Sequence, residues 1–157
     1  MNRFAIRAIG RMLFLLAIVV PAQAAGTPND REALSGLKTS RAVFDMRVPD
    51  RERLIFNLGL IKETLEGMAA QRVKPQMVVT FRGPGVRLLT REHAADEIAP
   101  LITELKRMGV RFEVCAVAIR IFKVDEATLI PDVVLVGNSL ISLIGYQNQG
   151  YALVMLM

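Results

Sequence analysis

Cys115 is the only cysteine in the 157 residues and the one side chain with intrinsic nucleophilic chemistry. A thiol near a strand end that faces a helix N-terminus has a lowered pKa and is partly thiolate. Arg120 is a cation able to fold back and stabilise such an anion. A second reading also fits. Free cysteine is among the most buried residue types, and Cys115 stands between Val114 and Ala116 as a small hydrophobe would. The single histidine, His93, cannot build a zinc site alone and fits better at the polar entrance of a helix than as a base for Cys115. Two further places offer backbone N–H groups to a ligand. One is the turn Arg82-Gly83-Pro84-Gly85, where Gly83 and Gly85 are candidate ligand-binding residues. The other is Gly137-Asn138-Ser139, where Asn138 and Ser139 are candidates. Neither is a phosphate-binding P-loop or a dinucleotide fingerprint, and each also reads as plain structure: a tight turn, and a strand end followed by a helix cap. No Cys/His cluster has metal-ligand spacing, so no metal site is expected. Met46, Met68, Met77, Met108, Met155 and Met157 read as core packing rather than copper ligands.

The elements that must position these residues alternate between strand and helix. Ala42 to Val48 is a short β-prone run, and Pro49-Asp50 opens a helix with Asp50 as its N-cap. Leu54, Leu58, Ile61, Leu65 and Met68 then recur at steps of four, three, four and three, the signature of one apolar helical face. Strands are expected at Gln76 to Phe81, Val110 to Ala118, Val133 to Val136 and Tyr151 to Met157. A second long helix is expected from Ala95 to Met108, C-capped by Gly109, and a third from Asn138 to Gln149, ended by Gly150. Asp125 to Leu129 reads as a helical turn stopped by Pro131. Such alternation implies βαβ units and a mainly parallel sheet. The runs VVTF, VVLV and ALVML look like strands buried on both faces. The expected fold is α/β: a three-layer α/β/α sandwich of about five strands, with sites beyond the carboxyl ends of the strands.

The start of the chain reads as an address. Arg3, Arg7 and Arg11 precede an apolar run from Met12 to Val20, Pro21 breaks it, and Ala22-Gln23-Ala24 supplies small residues for cleavage. That is the layout of a secretory signal peptide over 1–24, and the run is too short to span a bilayer comfortably. The expected product begins at Ala25 and is periplasmic or otherwise exported, with no stable membrane insertion after cleavage; the alternative is an uncleaved N-terminal anchor. A flexible lead-in (25–40) and one domain (41–157) follow. Whole-chain charge is +5; without the three leader arginines 17 basic residues face 15 acidic ones, a net of +2. The basic residues are scattered, which argues against nucleic acid as a partner. With one cysteine there is no intramolecular disulfide, and an exported thiol must be buried, protected or used.

From the third strand onward the chain resembles a known family. Gly109 to Ala116, then Val124-Asp125-Glu126, then Leu129-Ile130-Pro131-Asp132-Val133, and finally Gly150-Tyr151 follow in the order of the DsrE/DsrF-like family. Gly83-Pro84-Gly85-Val86 with Leu88-Leu89 is similar to that family's exit from the second strand. The resemblance covers roughly Arg41 to Met157. It implies a parallel α/β/α fold, a homo- or hetero-oligomer, here a homo-oligomer (trimer or hexamer), and sulfur carried as a persulfide on the cysteine that Cys115 matches. It further implies donor and acceptor proteins, and carrier or sulfurtransferase-like work rather than hydrolysis; that chemistry needs no metal or organic cofactor. The alternative is a non-catalytic oligomeric binding module in which Cys115 is merely buried.

Overall fold

The computed structural model describes residues 28–157; the expected signal peptide lies outside the described residues. The lead-in makes a turn over 31–36 and rests on the first long helix, where the Asp30 amide donates to the Gln71 side chain at 3.0 Å. Strand β1 (Thr39–Met46) leads through helix α1 (Arg51–Ala70) to β2 (Lys74–Phe81). A 3₁₀ turn (Pro84–Leu89), the short α2 (Arg91–Ala94) and α3 (Ile98–Arg107) lead to β3 (Arg111–Cys115). Helix α4 (Ala116–Ile121), a 3₁₀ turn (Glu126–Thr128), β4 (Val134–Val136), α5 (Ser139–Asn148) and β5 (Ala152–Leu156) complete the chain.

The five strands form one all-parallel sheet in the order β4-β3-β2-β1-β5. The chain steps outward from β1 to β4, then crosses back to the far side of β1. Right-handed crossovers in opposite directions place their helices on opposite faces. Thus α1 and α3 cover one face with most of the core, while among the described residues α5 covers the other. The result is the α/β/α sandwich read from the sequence.

The apolar stripe of α1 is buried as its spacing predicts: Leu54, Leu58, Ile61 and Leu65 are at most 3% exposed. Each contributes about 1.5–3 kcal/mol as an upper estimate. The Asp50 carboxylate caps this helix by accepting from the Arg53 amide at 2.9 Å.

Three expectations are corrected. The second long helix does not run unbroken from Ala95; α2 ends at Ala94 and α3 begins at Ile98. Pro100 has no N–H for a bond to residue 96, so it is accommodated in the first turn of a new helix rather than inside an old one. The third strand stops at Cys115 instead of Ala118, and α4 starts at the next residue. Its ladders end there: β2 pairs as far as Val114 and the three-residue β4 as far as Cys115. Finally, ALVML and VVLV are edge strands. Four of the five residues of β5 are exposed, and Met108, Met155 and Met157 lie at the surface rather than in the core.

Candidate functional site

The strand ends gather the candidates. Side chains alternate across a strand, and Val43 and Val78 pack under Leu143 of α5. Asp45, Thr80, Glu113 and Cys115 therefore belong to that same face. Asp45, Thr80 and Glu113 stand side by side in register across three strands, and all three are at most 2% exposed. One step further toward the strand ends, the pairing Phe81↔Val114 brings Arg82 beside Cys115.

Cys115 is the residue at which β3 becomes α4, with φ −78° and ψ 117°. It is 4% exposed, yet it lines a cleft of about 250 Å³ together with Arg82, Gly83, Asn138 and Ser139. The remaining wall is apolar, formed by α4 and by Phe122 and Leu140. The Ser139 amide, at the start of α5, donates to the Cys115 sulfur at 3.3 Å. Burial acts to raise the pKa of the thiol. Hydrogen bonding from Ser139 and from the Ala118 and Val117 amides outweighs it, so the thiol titrates below its ordinary value.

The expected site residues separate into two groups. Gly83, Asn138 and Ser139 border the cleft. Gly83 has φ +74°, a conformation other residues adopt only at a cost, and it turns the chain sharply after β2. The Asn138 side chain accepts from the Leu140 amide at 2.9 Å, so it caps α5 and thereby aims the Ser139 amide at the sulfur. Gly85 lies elsewhere. It is buried, and a Cβ there would collide with the Val48 carbonyl oxygen, so close packing explains this glycine. Arg120 is exposed on the last turn of α4 and is not part of the cleft wall; the guanidinium that borders the sulfur belongs to Arg82. His93 is exposed on α2, with Nδ1 2.7 Å from the Thr90 hydroxyl, and takes no part in the cleft.

Arg82 is held from below. Its Nε and Nη2 donate to the two carboxylate oxygens of Asp45, both at 2.6 Å. The hydrogen bonds to Asp45, and more weakly the charge of Cys115, bind the guanidinium proton more firmly than usual. The sequence reading named neither role. The available signal was an acid inside an apolar strand, Asp45 in AVFDM and Glu113 in RFEVC. Glu113 is met on one oxygen by Arg111 Nε at 2.8 Å and the Tyr146 hydroxyl at 2.7 Å. Burial, and then the neighbouring Glu113, push Tyr146 up to about 12. Among the described residues, the second oxygen of Glu113 and the Thr80 hydroxyl are buried without a hydrogen-bond partner.

A larger groove of about 720 Å³ opens where α3 meets Ile55 of α1. Its lining has neither a thiol nor a hydroxyl and includes none of the residues that gather around Cys115, so the smaller cleft is the better candidate.

Three comparisons bear on this arrangement. The profile of the DsrE/DsrF-like family matches residues 16–156. Among curated proteins, none matches the chain. Among solved structures, the protein of unknown function MTH1491 from Methanobacterium thermoautotrophicum superposes with a TM-score of 0.63 at 24% identity. That match covers 74% of this chain and 98% of the other, and it bears on the fold alone.

Proposed function

We propose that this chain, which belongs to the DsrE/DsrF-like family, carries sulfane sulfur on Cys115. The observation that supports the reading most directly is the Cys115 sulfur itself, at the floor of a cleft and hydrogen-bonded by the Ser139 amide. The thiolate attacks the outer sulfur of a donor R–S–SH. An Sγ–S bond forms, the donor S–S bond breaks, and RS⁻ leaves with the electron pair. Cys115 then holds –S–SH. An acceptor thiolate attacks that outer sulfur and takes it as its own persulfide, returning the Cys115 thiolate. Atoms and charge balance in both steps, and no cofactor enters either. The chain acts as a carrier or sulfurtransferase between donor and acceptor molecules.

In this reading the protein is exported after cleavage behind Ala24, and its working unit is a homo-oligomer, a trimer or hexamer. N-terminal sequencing of the exported protein tests the first point: Ala25 is expected, and an intact Met1 points to an anchored form instead.

Mass spectrometry after incubation with polysulfide tests the carrier. One added sulfur atom is expected, removable by a thiol reductant and missing in Cys115→Ser. The low exposure of Cys115 favours a second reading, a binding module with a structural thiol. In that case the native protein gains no sulfur, and alkylating reagents reach Cys115 only after unfolding.

A further inference from the structure

The Asp45–Arg82 pair reaches further than the thiol chemistry. Asp45 is 2% exposed and engages two nitrogens of Arg82, which fixes the plane of the guanidinium. The third nitrogen, Nη1, donates to no protein group among the described residues, and Arg82 borders the cleft at Cys115. Apart from the Cys115 thiolate itself, no other side chain of that wall is charged. A ligand in the cleft thus meets one fixed cationic edge beside the sulfur and an aliphatic and aromatic surface elsewhere. The volume, about 250 Å³, suits a small molecule.

From this geometry we infer that Arg82 is an anion subsite, with Asp45 as its positioning residue, and that the sulfur donor is a small anion such as inorganic polysulfide. The inference rests on the carrier reading of Cys115. When the donor S–S bond breaks, the departing fragment gains the electron pair and its negative charge grows. A guanidinium N–H already oriented toward that fragment is worth more as the charge grows than before it. Asp45 contributes by holding the guanidinium still, without touching the donor.

The test compares two alkylating reagents of nearly equal size, anionic iodoacetate and neutral iodoacetamide. Their rate ratio at Cys115 is measured on the native protein and divided by the ratio for the same protein in denaturant. A charge-assisted contact predicts a normalised ratio of about ten or more. In the double variant Asp45→Asn with Arg82→Gln, which keeps a neutral hydrogen-bonding pair in the same place, the ratio falls toward one. A merely structural ion pair would alter stability but leave the ratio at one in both proteins. The wild-type ratio needs no variant, so a misfolded double variant does not decide the matter. If iodoacetamide and polysulfide both react with the native protein but the wild-type ratio is one or less, the anion subsite is wrong and the carrier stands. If the native thiol is inert to all three reagents, the carrier reading fails and takes the anion subsite with it.

Discussion

At the scale of single residues, the chemistry of the site depends on what surrounds one sulfur. Burial acts to raise the Cys115 pKa, and the donated hydrogen bonds outweigh it, so the thiol titrates below its ordinary value. Alkylation of the native protein should follow the thiolate, with a midpoint below the roughly 8.5 of an unperturbed thiol. The denatured chain should show the ordinary midpoint. Because the folded value is the lower one, the thiolate's contribution to stability is complete above the unfolded value and disappears as pH falls through the folded value. A native midpoint at or above the denatured one would remove the argument. Thr80 allows a second check. Its hydroxyl is buried with no partner among the described residues, and its neighbour Glu113 has one oxygen in the same condition. Thr80→Val keeps the shape and removes the desolvated hydroxyl, so it should raise stability by about 1 kcal/mol. A lower denaturant midpoint in the variant would show that the hydroxyl has a partner in solution. Cys115 was legible in the sequence because its type is unique. The cation beside it was not: Arg120 is near in sequence, whereas Arg82 becomes a neighbour only through the register of β2 on β3. Register is a property of pairing, and no local pattern around residue 82 records it.

At the scale of elements, local signals worked where one segment decides its own ending. Four helices finish alike, with the residue after the C-cap at positive φ and two backdonated bonds onto the last turn. After α3 and α5 that residue is glycine, Gly109 at φ 96° and Gly150 at φ 84°. After α1 and α4 it is Arg72 at φ 64° and Lys123 at φ 53°. The bonds are the same in kind: Val73 N–H to Met68 and Arg72 N–H to Ala69, Val124 N–H to Ile119 and Lys123 N–H to Arg120. The two glycine stops were readable in the sequence; the two side-chain-bearing stops were not, because nothing about Arg or Lys marks a left-handed residue. A side chain there carries a steric cost that glycine avoids. Arg72→Gly should therefore stabilise the protein, by up to about 1 kcal/mol, although glycine also loses more entropy on folding. Thermal unfolding measures it, and a clear drop in Tm would show that the Arg72 side chain has a role of its own. The split between α2 and α3 has a different lesson. Apolar periodicity continues across it through Ala94 and Ile98, both fully buried. The face is continuous while the backbone is not, and Pro100 was the local sign of the break.

At the scale of the whole molecule, apolar content misled where it met sheet order. VVTF lies in a central strand and is buried as expected, while ALVML has the same character and lies at an edge. Which strand is central depends on how the crossovers run, and no single segment carries that information. The mismatch leaves a surface to be accounted for. On β5, Leu153 and Met155 share the face covered by α5, because they pair with Val43 and Asp45. Both are exposed, and so are Leu140, Ile141 and Ile144 on α5, which packs against β5. A strand edge unpaired among the described residues, beside a group of exposed aliphatic side chains, invites pairing with another chain, and proteins seldom leave such a surface uncovered. A closed homo-oligomer covers it without forming fibres. Light scattering at micromolar concentration should accordingly give a multiple of the monomer mass, a trimer or hexamer. Ile141→Lys together with Met155→Lys should shift the population toward monomer. The fold should survive, because both side chains are more than half exposed and surface changes usually alter stability by about 0.5 kcal/mol or less. Circular dichroism separates loss of assembly from loss of fold. A wild-type protein that scatters as a monomer would remove the oligomer from the proposal, and the exposed strip would then need a partner of a different kind.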